Sequence, residues 1–108
     1  MPRPFRPAVL AGTLVFALHA TLSARADPDD GEKLARRWCS GCHLVAPDQQ
    51  RASTDAPPFA TIARMPNFNR ERLAFFLLAP HPKMPDMALS RGEATDLADY
   101  IARLGRTP

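Results

Sequence analysis

Two cysteines and a histidine stand together in the run Cys39-Ser-Gly-Cys42-His43, and these are the only two cysteines in the 108-residue chain. Two thiols separated by two residues can add to the two vinyl groups of a haem. A histidine that follows directly is then held under the iron as its proximal ligand. The run therefore predicts a covalently attached haem, bound through Cys39 and Cys42, with His43 on the iron.

The same three residues have other possible uses. A thioredoxin-like redox pair shares the C-x-x-C spacing but requires a strand before it, and no strand pattern precedes Cys39. A structural zinc site needs four ligands, and adjacent Cys42 and His43, even with His81, do not match finger spacing. A disulfide between the two cysteines would close a loop too small to stabilise the fold much. Haem attachment is favoured over all three.

The first 26 residues have the features of a secretory signal peptide: a positive start, an apolar run over 8–20 and a small-x-small site ending at Ala26. The apolar run has about 13 residues, whereas a bilayer span needs about 20. We therefore expect cleavage after Ala26 rather than an uncleaved anchor. The remaining domain, 27–108, is expected in a bacterial periplasm or an equivalent oxidising compartment, and covalent haem attachment of this kind takes place after export.

The net charge of the chain is concentrated in this leader. The formal charge is +3, but three of the 14 basic residues lie in 1–26, so that 27–108 carries 11 basic and 11 acidic side chains. This balance gives no indication of nucleic-acid binding, and a membrane would be contacted only through an uncleaved leader. The 82 residues form one domain, close to the size at which an apolar core alone leaves little stability, so a bound cofactor is expected.

Helical periodicity and capping signals recur along 27–108, and no strand-like alternation of useful length appears. We expect Asp29 or Asp30 to cap a first helix that runs to Cys39. Asn69 is expected to cap a helix over 70–79, and Ser90 with Glu93 forms a capping box for the last helix. These signals predict an all-α fold of three or four helices.

The segments between these helices are expected to be irregular. A short helix is predicted from Phe59 to Met65, where Pro66 stops it, after a long loop over 44–58. The segment 80–85 holds three prolines in six residues, and we expect it to be extended and stiff. The domain is therefore predicted to be rich in loops.

The leader, the CSGCH run, the pair Met84-Pro85 and an aromatic in the last helix together resemble a small bacterial class I cytochrome c, over 31–104. The resemblance implies the cytochrome c fold, with helices and long loops wrapped around one haem c. It also implies that the first and last helices cross where Gly31 meets Tyr100. The family often has an aromatic at the position of Ala35, and Trp38 is expected to compensate for its absence.

The resemblance also places the sixth iron ligand. Met84 stands where the family has its axial methionine, and a thioether is a soft donor that favours ferrous iron. Met87, His81 and Met65 are the alternatives. The resemblance further assigns the carbonyl of Pro57 as the acceptor for the proximal histidine, with Pro58 or Pro47 as substitutes. Trp38 and Phe59 are candidates to pack against the haem.

These residues predict a periplasmic one-electron carrier, not an enzyme, since a His/Met-ligated iron has no open position for a substrate. Its partners would be redox proteins, and it would be a monomer or a subunit of a redox complex. One alternative is the electron-relay subunit of a periplasmic dehydrogenase or oxidase complex. Another is a gas-binding or peroxidatic haem protein with five-coordinate iron, which would require Met84 to leave the iron.

Overall fold

A computed structural model describes residues 1–4, 25–53, 55–79 and 82–108, and within these ranges the chain forms four helices. They are α1 (Pro28–Trp38), α2 (Phe59–Ala63), α3 (Arg70–Leu77) and α4 (Arg91–Arg106). No strand occurs in the described ranges, so the all-α prediction is confirmed. None of the helices in those ranges has the length and hydropathy required to cross a membrane. The apolar run of the predicted leader and the candidate ligand His81 lie outside the described residues.

Helix α1 begins earlier than the sequence suggested. Asp27, rather than Asp29 or Asp30, is the N-cap, and its side chain accepts hydrogen bonds from Asp29 N (2.9 Å) and Asp30 N (3.4 Å). The prediction was wrong because Pro28 follows directly, and the fixed φ and missing N–H of proline suit the first helical position. Asp29 and Asp30 instead occupy the first turn, where acidic side chains interact favourably with the helix dipole.

The capping predictions for the two later helices are confirmed. The Asn69 side chain accepts from Arg72 N at 2.7 Å, and Ser90 and Glu93 form both bonds of a capping box. Helix α3 ends at Leu77, two residues before the predicted end, and α2 is likewise two residues shorter than predicted.

The connection between α3 and α4 departs from the expected extended conformation. Residues 82–84 form a turn, and Ala88 has a left-handed backbone conformation, with φ of 50°. The Asp86 carboxylate accepts from Ala88 N at 2.8 Å and closes a local turn before α4. Pro82 and Pro85 limit the torsions of the described part of this segment but do not keep it straight.

Helix α4 is the element on which the other three assemble. Each of α1, α2 and α3 packs against α4, and no two of those three come close to each other along their backbones. A Cβ added to Gly31 would lie 2.1 Å from the Asp96 carbonyl oxygen and 2.8 Å from Tyr100 Cβ. On α4, Gly105 meets α2 in the same way, since its Cβ would lie 2.9 Å from Ala63 Cβ. The predicted contact of Gly31 with Tyr100 is therefore present.

Small residues, not an aromatic, fill the crossing of α1 and α4. Ala35 is completely buried one turn after Gly31, whereas Trp38 is 49% exposed and lies outside the buried core. The expectation that Trp38 compensates for Ala35 was wrong, because the Trp38 side chain is turned away from the buried core in which Ala35 lies. Across the crossing, the Arg103 guanidinium lies 2.6 Å from the Asp29 carboxylate and 5.3 Å from the centre of the Tyr100 ring.

The buried core extends from this crossing to the segment that follows the cysteines. Its members are Ala35, Cys39, Val45, Ala46, Phe59, Leu97, Tyr100, Ile101 and Leu104. The Tyr100 hydroxyl donates to the Val45 carbonyl at 2.6 Å, so a buried side chain of α4 holds the backbone just past His43. The position of the cysteine–histidine run thus depends on how α1 and α4 pack.

Substituting alanine for Gly31 tests how closely α1 and α4 cross. Because the nearest atoms to the new Cβ belong to the backbone of Asp96, they cannot move aside without separating the helices. We expect Gly31→Ala to lower the free energy of unfolding by about 3 kcal/mol, the upper part of the range for overpacked sites. Chemical denaturation of the haem-loaded protein measures it.

Gly92→Ala is the matched control, since its new Cβ meets no atom closer than the Ser90 hydroxyl at 3.9 Å. Alanine also has the higher helix propensity, so this variant should be as stable as the unmodified protein or slightly more so. A Gly31→Ala protein with the stability of Gly92→Ala would contradict the close crossing.

Candidate haem-binding site

The cysteine–histidine run begins at the C-terminal end of α1 and continues it as a tight turn. Cys39 N donates to the Ala35 carbonyl at 2.9 Å, and both Cys42 N and His43 N donate to the Cys39 carbonyl, at 3.1 and 2.9 Å. The Cys39 side chain is buried, with 6% exposure, while Cys42 is exposed. The end of the helix thereby holds the two sulfur-bearing residues and the histidine within one compact turn.

His43 is buried and its ring is fixed by a backbone carbonyl. Its exposure is 8%. Its Nδ1 lies 2.7 Å from the Pro57 carbonyl oxygen, which can only accept, so Nδ1 carries the hydrogen. In the neutral form of this tautomer Nε2 has the lone pair through which an imidazole binds a metal ion.

The segment that contains Pro57 is attached to the histidine segment at two further points. Phe59 N donates to the Leu44 carbonyl at 3.0 Å, and the Phe59 ring lies 5.2 Å from the His43 ring, centre to centre. The Pro58 carbonyl is engaged by the first turn of α2. Among the proposed prolines, the structure therefore brings Pro57 to His43, and it places the buried Phe59 against the same ring.

Gln49 is part of the site and was not singled out from the sequence. Its Oε1 accepts from Val45 N at 2.9 Å, and its Nε2 donates to the carbonyls of Ser40 (2.8 Å), Arg51 (2.9 Å) and His43 (3.0 Å). In the sequence it lies in the long loop over 44–58, where no periodicity or motif distinguishes it from its neighbour Gln50.

The alternative uses of the cysteines gain no support from the structure. Cys39 and Cys42 are not joined by a disulfide. No group of three or more histidine, cysteine, aspartate or glutamate side chains that could hold a metal ion occurs within the described ranges. Burial raises the pKa of the Cys39 thiol to about 11, and the neighbouring Cys42 adds to the shift. The Cys39 thiol is thus protonated at neutral pH, unlike the low-pKa cysteines of redox enzymes.

The methionine candidates differ in their surroundings. Met84 and Met87 are both half-buried in the connection between α3 and α4, and Met65 is 45% exposed after α2. Burial favours the two residues of the connection over Met65 as a ligand that has to be shielded from water. It does not distinguish Met84 from Met87.

The residues present fit a haem. An imidazole oriented by a backbone carbonyl stands one residue after an exposed cysteine, and several large apolar side chains are exposed. Besides Met1, these are Trp38, Met65, Phe75, Phe76 and Leu78. The Trp38 ring lies directly before Cys39, and the Arg37 guanidinium lies 4.9 Å from its centre. Trp38 therefore offers exposed apolar surface next to the cysteine–histidine run, where a porphyrin would be attached.

The comparison with known proteins gives one close similarity. A cytochrome c-552 from Bradyrhizobium diazoefficiens is 53% identical to this chain over 91 residues, which cover 84% of the chain and 88% of the relative. No protein-family model matches the chain, and no solved structure does. Identity at this level over most of both proteins shows a common family. The chain therefore belongs to the small class I c-type cytochromes, electron-transfer proteins rather than enzymes, and carries a covalently bound haem c.

Proposed function

We propose that this cytochrome is a periplasmic one-electron carrier whose haem is attached through Cys39 and Cys42 and whose iron is bound by His43 and Met84. The observation that carries the proposal is the buried His43, which has Nδ1 on the Pro57 carbonyl and Nε2 left for a metal. The haem supplies an iron that changes between the ferric and ferrous states.

The protein residues keep the coordination of that iron constant. The Pro57 carbonyl prevents His43 from rotating, and the hydrogen bond from His43 N to the Cys39 carbonyl ties its backbone to the attachment turn. Met84 would be the second protein ligand of the iron, and with both ligands in place no position would be left for a substrate. Electron transfer is favoured by such a site because the ligands move little when the charge on the iron changes.

The partners in this proposal are other redox proteins. The domain 27–108 has as many acidic as basic side chains, so strong long-range electrostatic steering is not expected. Many of the acidic groups are engaged within the protein: Asp29 and Glu32 pair with Arg103, and Asp48 pairs with Arg36. A free carrier and a relay subunit of a larger complex both agree with this surface, and purification of the cytochrome alone or with an oxidoreductase distinguishes them.

The ligation is tested by replacing Met84 with alanine. In the ferric wild-type protein we expect the weak long-wavelength absorption band of iron–methionine charge transfer. The band should disappear in Met84→Ala, and the reduction potential should fall because the soft thioether no longer favours ferrous iron. Absorption spectra in both oxidation states and a redox titration provide the measurements.

Met65→Ala is the matched control, because Met65 is also followed by a proline but is exposed after α2. It should retain the band and the potential. If the band survives Met84→Ala and is lost in Met87→Ala, the ligand is Met87. A wild-type protein that lacks the band and binds carbon monoxide readily when reduced would be five-coordinate, and electron carriage would be the wrong function.

The proposed periplasmic location is inferred from the leader. Cleavage of the leader would create a new N-terminus at Asp27. Asp27 N donates to the Asp96 carboxylate at 2.7 Å. Cleavage after Ala26 turns this nitrogen into a positively charged α-amino group, so the hydrogen bond becomes an ion pair between the new N-terminus and α4. We expect Asp96→Asn to destabilise the cleaved form by about 1 kcal/mol more than the uncleaved form, as for other ion pairs near the surface.

Denaturation of both forms measures this difference, and mass spectrometry of the exported protein identifies the first residue. Asp55→Asn is the control, since it removes one exposed carboxylate elsewhere and should affect the two forms equally. Equal losses for Asp96→Asn in both forms would contradict the ion pair. An exported protein that retains residues 1–26 would contradict the cleavage site.

A further inference from the structure

We propose that Gln49 is a positioning residue for the iron ligand His43: its side-chain amide fixes the turn that attaches the haem and thereby the orientation of the histidine. The proposal rests on the function proposed above, in which His43 is the proximal ligand. It assigns a role in haem binding to a residue outside the C-x-x-C-H run.

The orientation of the Gln49 amide follows from its partners. Three carbonyl oxygens surround one end of the amide, and the backbone N–H of Val45 faces the other end. Only the NH2 group can face carbonyls, and only the oxygen can accept from Val45 N. Because Nε2 has two hydrogens for three acceptors, one hydrogen is shared, and all the polar atoms of the side chain are engaged.

The three carbonyls belong to residues on both sides of the second cysteine. Ser40 lies directly after Cys39 and His43 directly after Cys42, so the amide spans the attachment turn from its first loop residue to the ligand. Arg51 belongs to the returning loop, and two residues later Ser53 donates to the Gly41 carbonyl through both its N–H and its hydroxyl. Gln49 therefore joins the turn to the loop that covers it.

The hydrogen bonds of Gln49 continue into the core. Val45, whose N–H binds Gln49 Oε1, offers its carbonyl to the Tyr100 hydroxyl at 2.6 Å. The network thus runs from α4, through Val45 and Gln49, to the carbonyl of His43. Gln49 Nε2 thus donates to the carbonyls of Ser40, His43 and Arg51 from a single side chain. Loss of the amide would leave the turn held by its own backbone bonds and by the two hydrogen bonds from Ser53 to the Gly41 carbonyl.

Gln49→Leu tests the role with the haem-loaded full-length protein, because leucine keeps a similar volume and adds no charge. The paramagnetically shifted haem-methyl resonances of the ferric protein report the orientation of the axial histidine ring. We expect their positions to change in Gln49→Leu. We also expect a lower reduction potential, since a loosened turn admits water and water stabilises ferric iron. Both measurements are made at temperatures where the variant is fully folded.

Gln50→Leu is the matched control: Gln50 is the exposed neighbour and carries the same side chain. It should keep the wild-type haem-methyl positions and potential. If Gln49→Leu also keeps both, and differs only by melting at a lower temperature, Gln49 stabilises the loop without positioning the ligand, and the proposal is overturned.

A milder variant covers the case in which Gln49→Leu fails to accumulate with haem. Tyr100→Phe removes only the hydroxyl that binds the Val45 carbonyl, one step along the same network. It should shift the haem-methyl resonances and the potential in the same direction as Gln49→Leu, by less. Unchanged values in Tyr100→Phe would then overturn the proposal.

Failure of the proposed function is recognised separately. It is seen in the wild-type protein, as a missing iron–methionine band together with carbon monoxide binding. The Gln49 proposal fails when the wild-type protein has the band but the network variants keep the haem-methyl positions and potential of Gln50→Leu.

Discussion

The contact of α1 with α4 brings two helix backbones together at Gly31, with no space for even a methyl group between Gly31 and the Asp96 carbonyl. This crossing fixes the direction in which α1 ends, and the attachment turn starts at that end, with Cys39. The same stretch of α4 carries Tyr100, whose hydroxyl holds the backbone at Val45. One close contact therefore fixes the position of the backbone on both sides of the cysteine–histidine run.

A buried polar group destabilises a small domain unless its hydrogen bonds are satisfied. This constraint accounts for the hydrogen bonds that the segment 44–58 makes to His43. His43 gives its ring hydrogen to Pro57, and its carbonyl accepts from Gln49. Both partners come from an irregular segment, in which the Pro57 carbonyl is outside the hydrogen bonds of a helix and the Gln49 side chain can turn back to the histidine. The described part of this loop has no regular structure, and side-chain hydrogen bonds hold it to the site.

Local signals in the sequence predicted much of this architecture. Asn69, Ser90 and Glu93 marked the starts of α3 and α4 correctly, since caps act through atoms two or three residues away. Two predictions about local structure were wrong. Pro28 moved the first cap to Asp27, and the connection between α3 and α4 turned at 82–84 despite its prolines. The sequence also suggested that Trp38 compensates for the small residue Ala35 at the helix crossing, but Trp38 is exposed and Ala35 is buried there without it.

The sequence by itself determined the chemistry: the spacing of Cys39, Cys42 and His43 allows a covalent haem wherever those residues are placed, and the family similarity agrees. It determined the helical class as well, through capping and periodicity, which depend on near neighbours in the chain. Only the tertiary structure decided which carbonyl meets the ring of His43 and which amide spans the attachment turn. Pro57 is 14 residues from His43, and the amide belongs to Gln49 rather than Gln50, because loop geometry, not residue type, brings these groups within hydrogen-bond distance.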